Sequence, residues 1–372
     1  MSSSRHPLKP DETVHKILIS TTSRMVGEFV SDDILISHAW QNFTNSSGTI
    51  RMEENPVSRS GFILAFQTEP YKKEAGVVIP DYSPVGEIVC SYLSVLFGKR
   101  FDCHGLVEGS GFYNTPDLSA YSSICNPKLP FNTHKQRSCF GIPLNLSNFS
   151  PISKILTGLD VAPDFQTKLN AACKFYMQAL QNVEYEPEVA YLHLITSGEI
   201  LAGFFEYEKQ EILDQQILDV LNAIESGLEN GDKISRQLSS RLLGIKRSFV
   251  KSLCSLVDQR FFESRESDVE FGYFKPDLIE RNIGSAYDLR SKYVHTGVPF
   301  GNWIQPRGHH TDLQLGRPVV SDKEFSKILE KAPTFLGLER FIRYCLLNFM
   351  ASNGFSEIME YRDNAYYGRF TR

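Results

Sequence analysis

The feature that most constrains this chain is a change of hydrophobic period at Pro163. Beyond it, apolar residues recur at steps of three and four while glycine and proline thin out, the pattern of packed helices. Residues 164–182 are expected as the first helix. Residues 186–206 are apolar on nearly all sides, which marks a central, buried helix. Leu213, Ile217, Val220, Leu221, Ile224 and Leu228 form one stripe before an Asn230-Gly231 turn, and Leu238, Leu242, Ile245, Phe249, Leu253 and Leu256 repeat it within residues 234–262. Segments 276–295 and 322–352 complete the set, separated by a loop over residues 297–320 that is long enough to be functional.

Before Pro163 the signals are those of strands and turns. Gly, Pro, Asn and Ser punctuate short apolar runs such as Gly61-Phe-Ile-Leu-Ala-Phe66 and Gly76-Val-Val-Ile-Pro80, which read as short strands. Residues 86–97 are almost continuously apolar and read as one buried helix, and residues 128–163 read as loop and linker. At 372 residues the chain exceeds the usual size of one domain. The expected fold is α+β, a β-rich N-terminal domain over 1–155 with a possible sensor or regulatory role, then an all-α bundle over 160–360.

With 41% hydrophobic and 22% charged residues, a disordered chain is excluded. The net charge of -5 means that any nucleic-acid contact needs a local basic patch. The seven cysteines include no C-x-x-C pair, so neither a disulfide framework nor a zinc knuckle is indicated. Cys103-His104 with Cys125, His134 and Cys139 are irregularly spaced for zinc, and no metal or other cofactor is expected. Residues 1–11 lack the apolar core of a secretory signal and no stretch approaches a membrane span, so a cytoplasmic location without a membrane partner is expected. The sequons at Asn42, Asn45, Asn145 and Asn148 then read as chance matches.

Ser285-Ala-Tyr-Asp288 has the form of a capping box, and Gly297 with Pro299 is a stop signal, so a short helix over 286–295 is expected. At about 100° per residue, Ala286, Tyr287, Leu289, Tyr293 and Val294 fall on one arc centred near Arg290. An arginine on an apolar face needs an anion, either a phosphate or a carboxylate such as Glu199 on the buried helix. His295 falls about 140° away in the last turn, beside Asp288 and Ser291. In the basic run of residues 236–251, Arg236, Arg247 and Lys251 share one side, as an RNA groove or a solvated face would. His309-His310, with Arg307, lies in the long loop.

The segment Tyr287-Asp-Leu-Arg-Ser-Lys-Tyr-Val-His-Thr-Gly297 resembles the signature helix of HEPN domains, closest to the Apea-like branch, and the helix carrying Glu199 resembles that branch's earlier helix. The likeness covers roughly residues 165–350. It implies a metal-independent endoribonuclease in which two motifs line a cleft at a homodimer interface, in the setting of bacterial anti-phage defence or a toxin–antitoxin pair. By that analogy the ribose 2′-hydroxyl is the nucleophile, His295 is general acid or base, and Arg290 holds the phosphate, with Glu199, Ser291 and Tyr293 in support. Many active members carry Asn, Asp or His after the arginine, where this chain has Ser291, which cannot titrate. The second expectation is therefore a non-catalytic HEPN module binding RNA, a nucleotide or a partner protein.

Overall fold

The fold, taken from a computed structural model, is α+β, with a six-stranded antiparallel sheet followed by a mostly helical region. The structure describes residues 13–39, 59–68, 76, 80–109, 112–157, 161–208, 211, 213, 215–242, 245–267, 269, 271–305 and 310–361, without the side chains of 157, 236, 239–242 and 245. Contacts divide the chain into two compact units, Met1–Tyr185 with Phe349–Arg372, and Glu186–Asn348.

In the first unit the strands are β1 (Thr13–Thr21), β2 (Phe29–Val30), β3 (Ile34–His38), β4 (Ser60–Thr68), β5 (Phe101–Gly109) and β6 (Phe112–Tyr113), in the order β2-β3-β4-β1-β5-β6. The run from Gly61 to Phe66 is β4, and its alternation buries Phe62, Leu64 and Phe66. Of the other expected strand, residues 77–79 lie outside the described residues. Central β1 is buried on both faces, with Ile17 and Ile19 fully enclosed. The apolar helix runs over Ser83–Phe97 and ends on Gly98 in the left-handed conformation, a geometry glycine adopts without a Cβ penalty.

Two expectations change here. The stretch read as linker contains a helix, Ser150–Thr157, started by Pro151 in its first turn, where a missing N–H costs no helical bond. The helix Pro163–Asn182, expected to open the helical domain, belongs to the sheet unit. Its Asn170 Oδ1 accepts from the Tyr92 hydroxyl at 2.6 Å, and Gln181 Nε2 donates to the Phe101 carbonyl at 2.8 Å.

A buried polar network lies within this unit. Arg59 Nη1 donates to Asp102 Oδ2 at 2.5 Å, and Arg100 Nε reaches the same carboxylate at 3.1 Å. Both guanidinium groups also donate to Cys125 Sγ, at 3.3 and 3.2 Å. His104 Nδ1 stands 2.8 Å from the Asp117 carbonyl, to which it can only donate, so in the neutral ring Nε2 accepts from the Ser20 hydroxyl at 2.7 Å. Burial lowers the His104 pKa below the ordinary histidine value, in keeping with that neutral ring.

In the second unit the buried helix is Pro187–Ala202, with Ala190, Tyr191, Leu194, Ile195 and Leu201 fully enclosed. A Cβ at Gly198 would lie 2.8 Å from Phe249, 2.9 Å from Leu253 and 3.0 Å from Ile342, so glycine lets two other helices approach closely. These are the basic helix Ile245–Ser255 and the helix Phe335–Ser352. Helices Gln215–Gly227 and Gly231–Leu242 pack on each other, and Asp258 caps a short helix, Gln259–Glu263. The segment expected as one helix from 322 to 352 is two, Lys323–Lys331 and Phe335–Ser352. Pro333 explains the break, because its ring drives Ala332 out of the helical region, to φ -69 and ψ 143. Although Phe335–Ser352 is nearly all buried, it carries Glu339, Arg340 and Arg343, and among the described residues no helix is long and apolar enough to cross a membrane.

Candidate functional site at the end of the motif helix

The helix that carries Arg290 and His295 spans Ile279–Thr296, longer than the capping box implies. Ser285 is interior to it, and its hydroxyl donates back to the Arg281 carbonyl at 2.9 Å instead of capping. The real start follows Pro276, in a short 3-10 turn. At the other end Gly297 takes φ 66 and its N–H closes on the Tyr293 carbonyl at 2.8 Å, as the stop signal requires.

Arg290 Nη2 lies 3.5 Å from Glu199 Oε2, with 30% and 20% of the two side chains exposed. The other carboxylate oxygen accepts from the Tyr287 hydroxyl at 2.9 Å, and the guanidinium stands 5.5 Å from the centroid of the Tyr287 ring. Glu199 is thus shared between a cation and a phenol. Burial above all, then the hydrogen bond and charge of Glu199, raise the Tyr287 pKa, against the opposing charge of Arg290.

His295 is exposed in the last turn, and Ser291, one turn before it, is half-buried. The helix brings Arg290 to Glu199 but sends His295 to another side, about 140° away. Tyr293 points inward and does not join the site. Its ring meets Phe300 edge-on at 5.6 Å, and Phe300 in turn meets Tyr191 at 5.4 Å. Glu188 holds the same corner by accepting from the Phe300 and Gly301 N–H groups at 3.1 and 2.7 Å. Tyr293 therefore fixes the chain just past the motif. Lys292 pairs with Asp322, the N-cap of Lys323–Lys331.

An open groove of about 730 Å³ lies between the motif helix and the basic helix Ile245–Ser255. Its cations are Lys246, Arg247, Lys251, Arg281 and Lys331, and its carboxylates are Glu211, Glu280 and Asp288. Lys246 Nζ is held by both Asp288 oxygens at 2.6 and 2.7 Å. Lys251 donates to the Glu211 carbonyl at 2.7 Å and lies over the Tyr207 ring at 4.6 Å. Arg247 and Lys251 share this groove as their spacing suggested, while the Arg236 side chain lies outside the described residues. Arg281 and Lys331 were missed because they sit on other helices, out of phase with any run of basic residues. His309 also lies outside the described residues, and Cys125 and His104 belong to the network of the sheet unit.

Comparison of the chain with protein-family models, curated proteins and solved structures finds no match.

Proposed function

We propose that the helical unit is a HEPN-type endoribonuclease module that works without a metal as a homodimer. The observation that carries this reading is the state of Arg290. Its guanidinium is oriented by Glu199 and Tyr287, yet the carboxylate contact is long, at 3.5 Å, and part of the side chain faces solvent, with His295 exposed on the same helix. An arginine held in place with donors to spare suits a phosphate whose charge grows in the transition state. His295 then takes the proton of the ribose 2′-hydroxyl as that oxygen attacks phosphorus, or gives a proton to the departing 5′-oxygen. One histidine does not serve both roles at once, so a second copy of the chain supplies the other.

The divergence of Arg290 and His295 within one chain favours a second reading, a binding module in which Ser291 replaces a titratable group. Full-length protein incubated with structured RNA in EDTA separates the two, since an enzyme cuts and a binding module only shifts the RNA. With the enzyme, Arg290→Ala and His295→Ala each lower cleavage by about 10² to 10⁴, and His295→Ala leaves the melting curve unchanged. Undiminished cleavage by His295→Ala sinks the acid–base role, and an active monomer in sedimentation sinks the shared cleft.

A further inference from the structure

The motif helix has a second face. Arg281, Gly284, Ser285 and Asp288 line the groove at steps of three and four, and the same steps continue to Ser291 and His295. From Asp288 to His295 is seven residues, about 10 Å along the axis and only about 20° around it. Arg290 lies about 160° from Asp288, on the far side. The groove therefore leads toward His295.

Its charge is positive in a protein of negative net charge, with five cations against three carboxylates. Asp288 and Glu211 are engaged by Lys246 and Lys251. Among the described residues Arg281 and Lys331 form no ion pair, and Arg281 is exposed. None of the described lining residues is aromatic, and the Tyr207 ring beside the groove is covered by Lys251 at 4.6 Å, so the described lining offers no open platform on which bases stack. Cations without a stacking platform read the phosphodiester backbone and not the base sequence.

We infer that this groove is the track along which a single RNA strand reaches His295, held through its phosphates by Arg281 and Lys331 and indifferent to base sequence. The inference rests on the ribonuclease reading above, in which a strand that reaches His295 of one copy meets the phosphate-holding arginine of the second copy, and adds to it the path and the kind of recognition.

The test uses full-length His295→Ala protein, labelled single-stranded RNAs of unrelated sequence, and a salt series read by fluorescence anisotropy. The expected result is similar affinity for each sequence, at least tenfold weaker binding when Arg281→Ala and Lys331→Ala are combined, and a log–log salt slope shallower by about 1.4 for two lost phosphate contacts. Arg281→Lys with Lys331→Arg keeps both charges and restores binding, which excludes a mere loss of fold. If the wild-type protein cuts RNA while the double alanine variant binds it with unchanged affinity and slope, the track is wrong and the nuclease reading stands. A wild-type protein that neither binds nor cuts RNA overturns both.

Discussion

In the sheet unit Arg59 meets Asp102 at 2.5 Å with side chains 0% and 4% exposed, whereas in the helical unit Arg290 stands 3.5 Å from Glu199 with 30% and 20% exposed. Both are arginine–carboxylate pairs supported by further polar groups. Around Asp102 two guanidinium groups donate to one carboxylate, and further donors of theirs reach Ser123 and Cys125 within the protein. Around Glu199 a phenol and a guanidinium share one carboxylate, and the guanidinium keeps contact with water. A closed pair holds a fold together, because a buried ion without its partner is costly. An open pair leaves an oriented charge for something outside the chain. Burial, not the presence of charges, thus separates a structural network from a candidate site.

The largest expected effect is that of Asp102→Ala, which leaves two buried guanidinium groups without their carboxylate. Breaking a buried pair costs about 3 to 5 kcal/mol, enough to unfold much of the sheet unit. Hydrogen exchange in β1 and β5, read beside a thermal melt, checks it, and a loss below about 1 kcal/mol would show the network to be dispensable.

Glu199→Ala comes next, since it removes the charged acceptor of the Tyr287 hydroxyl and the partner of Arg290. A hydrogen bond to a charged group is worth about 1.5 to 3 kcal/mol, and the exposure of the pair puts Glu199 toward the lower end. The expected outcome is a lower melting temperature together with lost cleavage. Unaltered melting with full cleavage would remove Glu199 from both the site and its support.

A smaller effect is the response to acid. Burial lowers the pKa values of His15, His38 and His104, all in the sheet unit, with Glu28 opposing at His38 and the Asp117 carbonyl opposing at His104. Histidine titrates near 6.5 in the unfolded chain, so below that pH the unfolded state binds protons that the folded state resists. Stability of the sheet unit should therefore fall as pH drops from about 6.5 toward the lowered folded values. Hydrogen exchange at pH 7.5 and 5.5 would show faster opening of β1 and β5 than of the motif helix, and equal behaviour of the two units would break the comparison.

The smallest effect concerns Ser285, whose hydroxyl bonds back to Arg281 inside the helix. Ser285→Ala should change stability by no more than about 0.5 kcal/mol, whereas loss of a true N-cap costs about 1 kcal/mol. Chemical denaturation distinguishes the two.

Several boundaries were legible in the residues, because they depend on groups a few positions apart. Gly98 and Gly297 end their helices in the left-handed conformation that glycine adopts without penalty. Pro333 and Pro151 carried equally local signals, a break at Ala332 that the continuing apolar pattern obscured, and a helix start that the turn-rich composition of the expected linker obscured. The capping box at Ser285 misled for the opposite reason. Its residues are right for a cap, but apolar Ile279 and Ile283, buried against the unit's core, extend the helix upstream through packing that outweighs a cap.

The candidate site divides in the same way. The positions of Arg290 and His295 on one helix, and the angle of about 140° between them, follow from the α-helical repeat alone. That Arg290 faces Glu199, that Tyr287 shares the carboxylate, and that Arg281 and Lys331 join Arg247 and Lys251 in one groove depend on which helices pack together. So does the network of Arg59, Arg100, Asp102 and Cys125, drawn from separate segments of the sheet unit. Hydrophobic period and turn chemistry act between neighbours in the chain, and they determined which elements form and where several of them end. The meeting of charges from distant segments was decided by tertiary structure, because it depends on the angle and depth at which whole elements pack, which no local run of residues encodes.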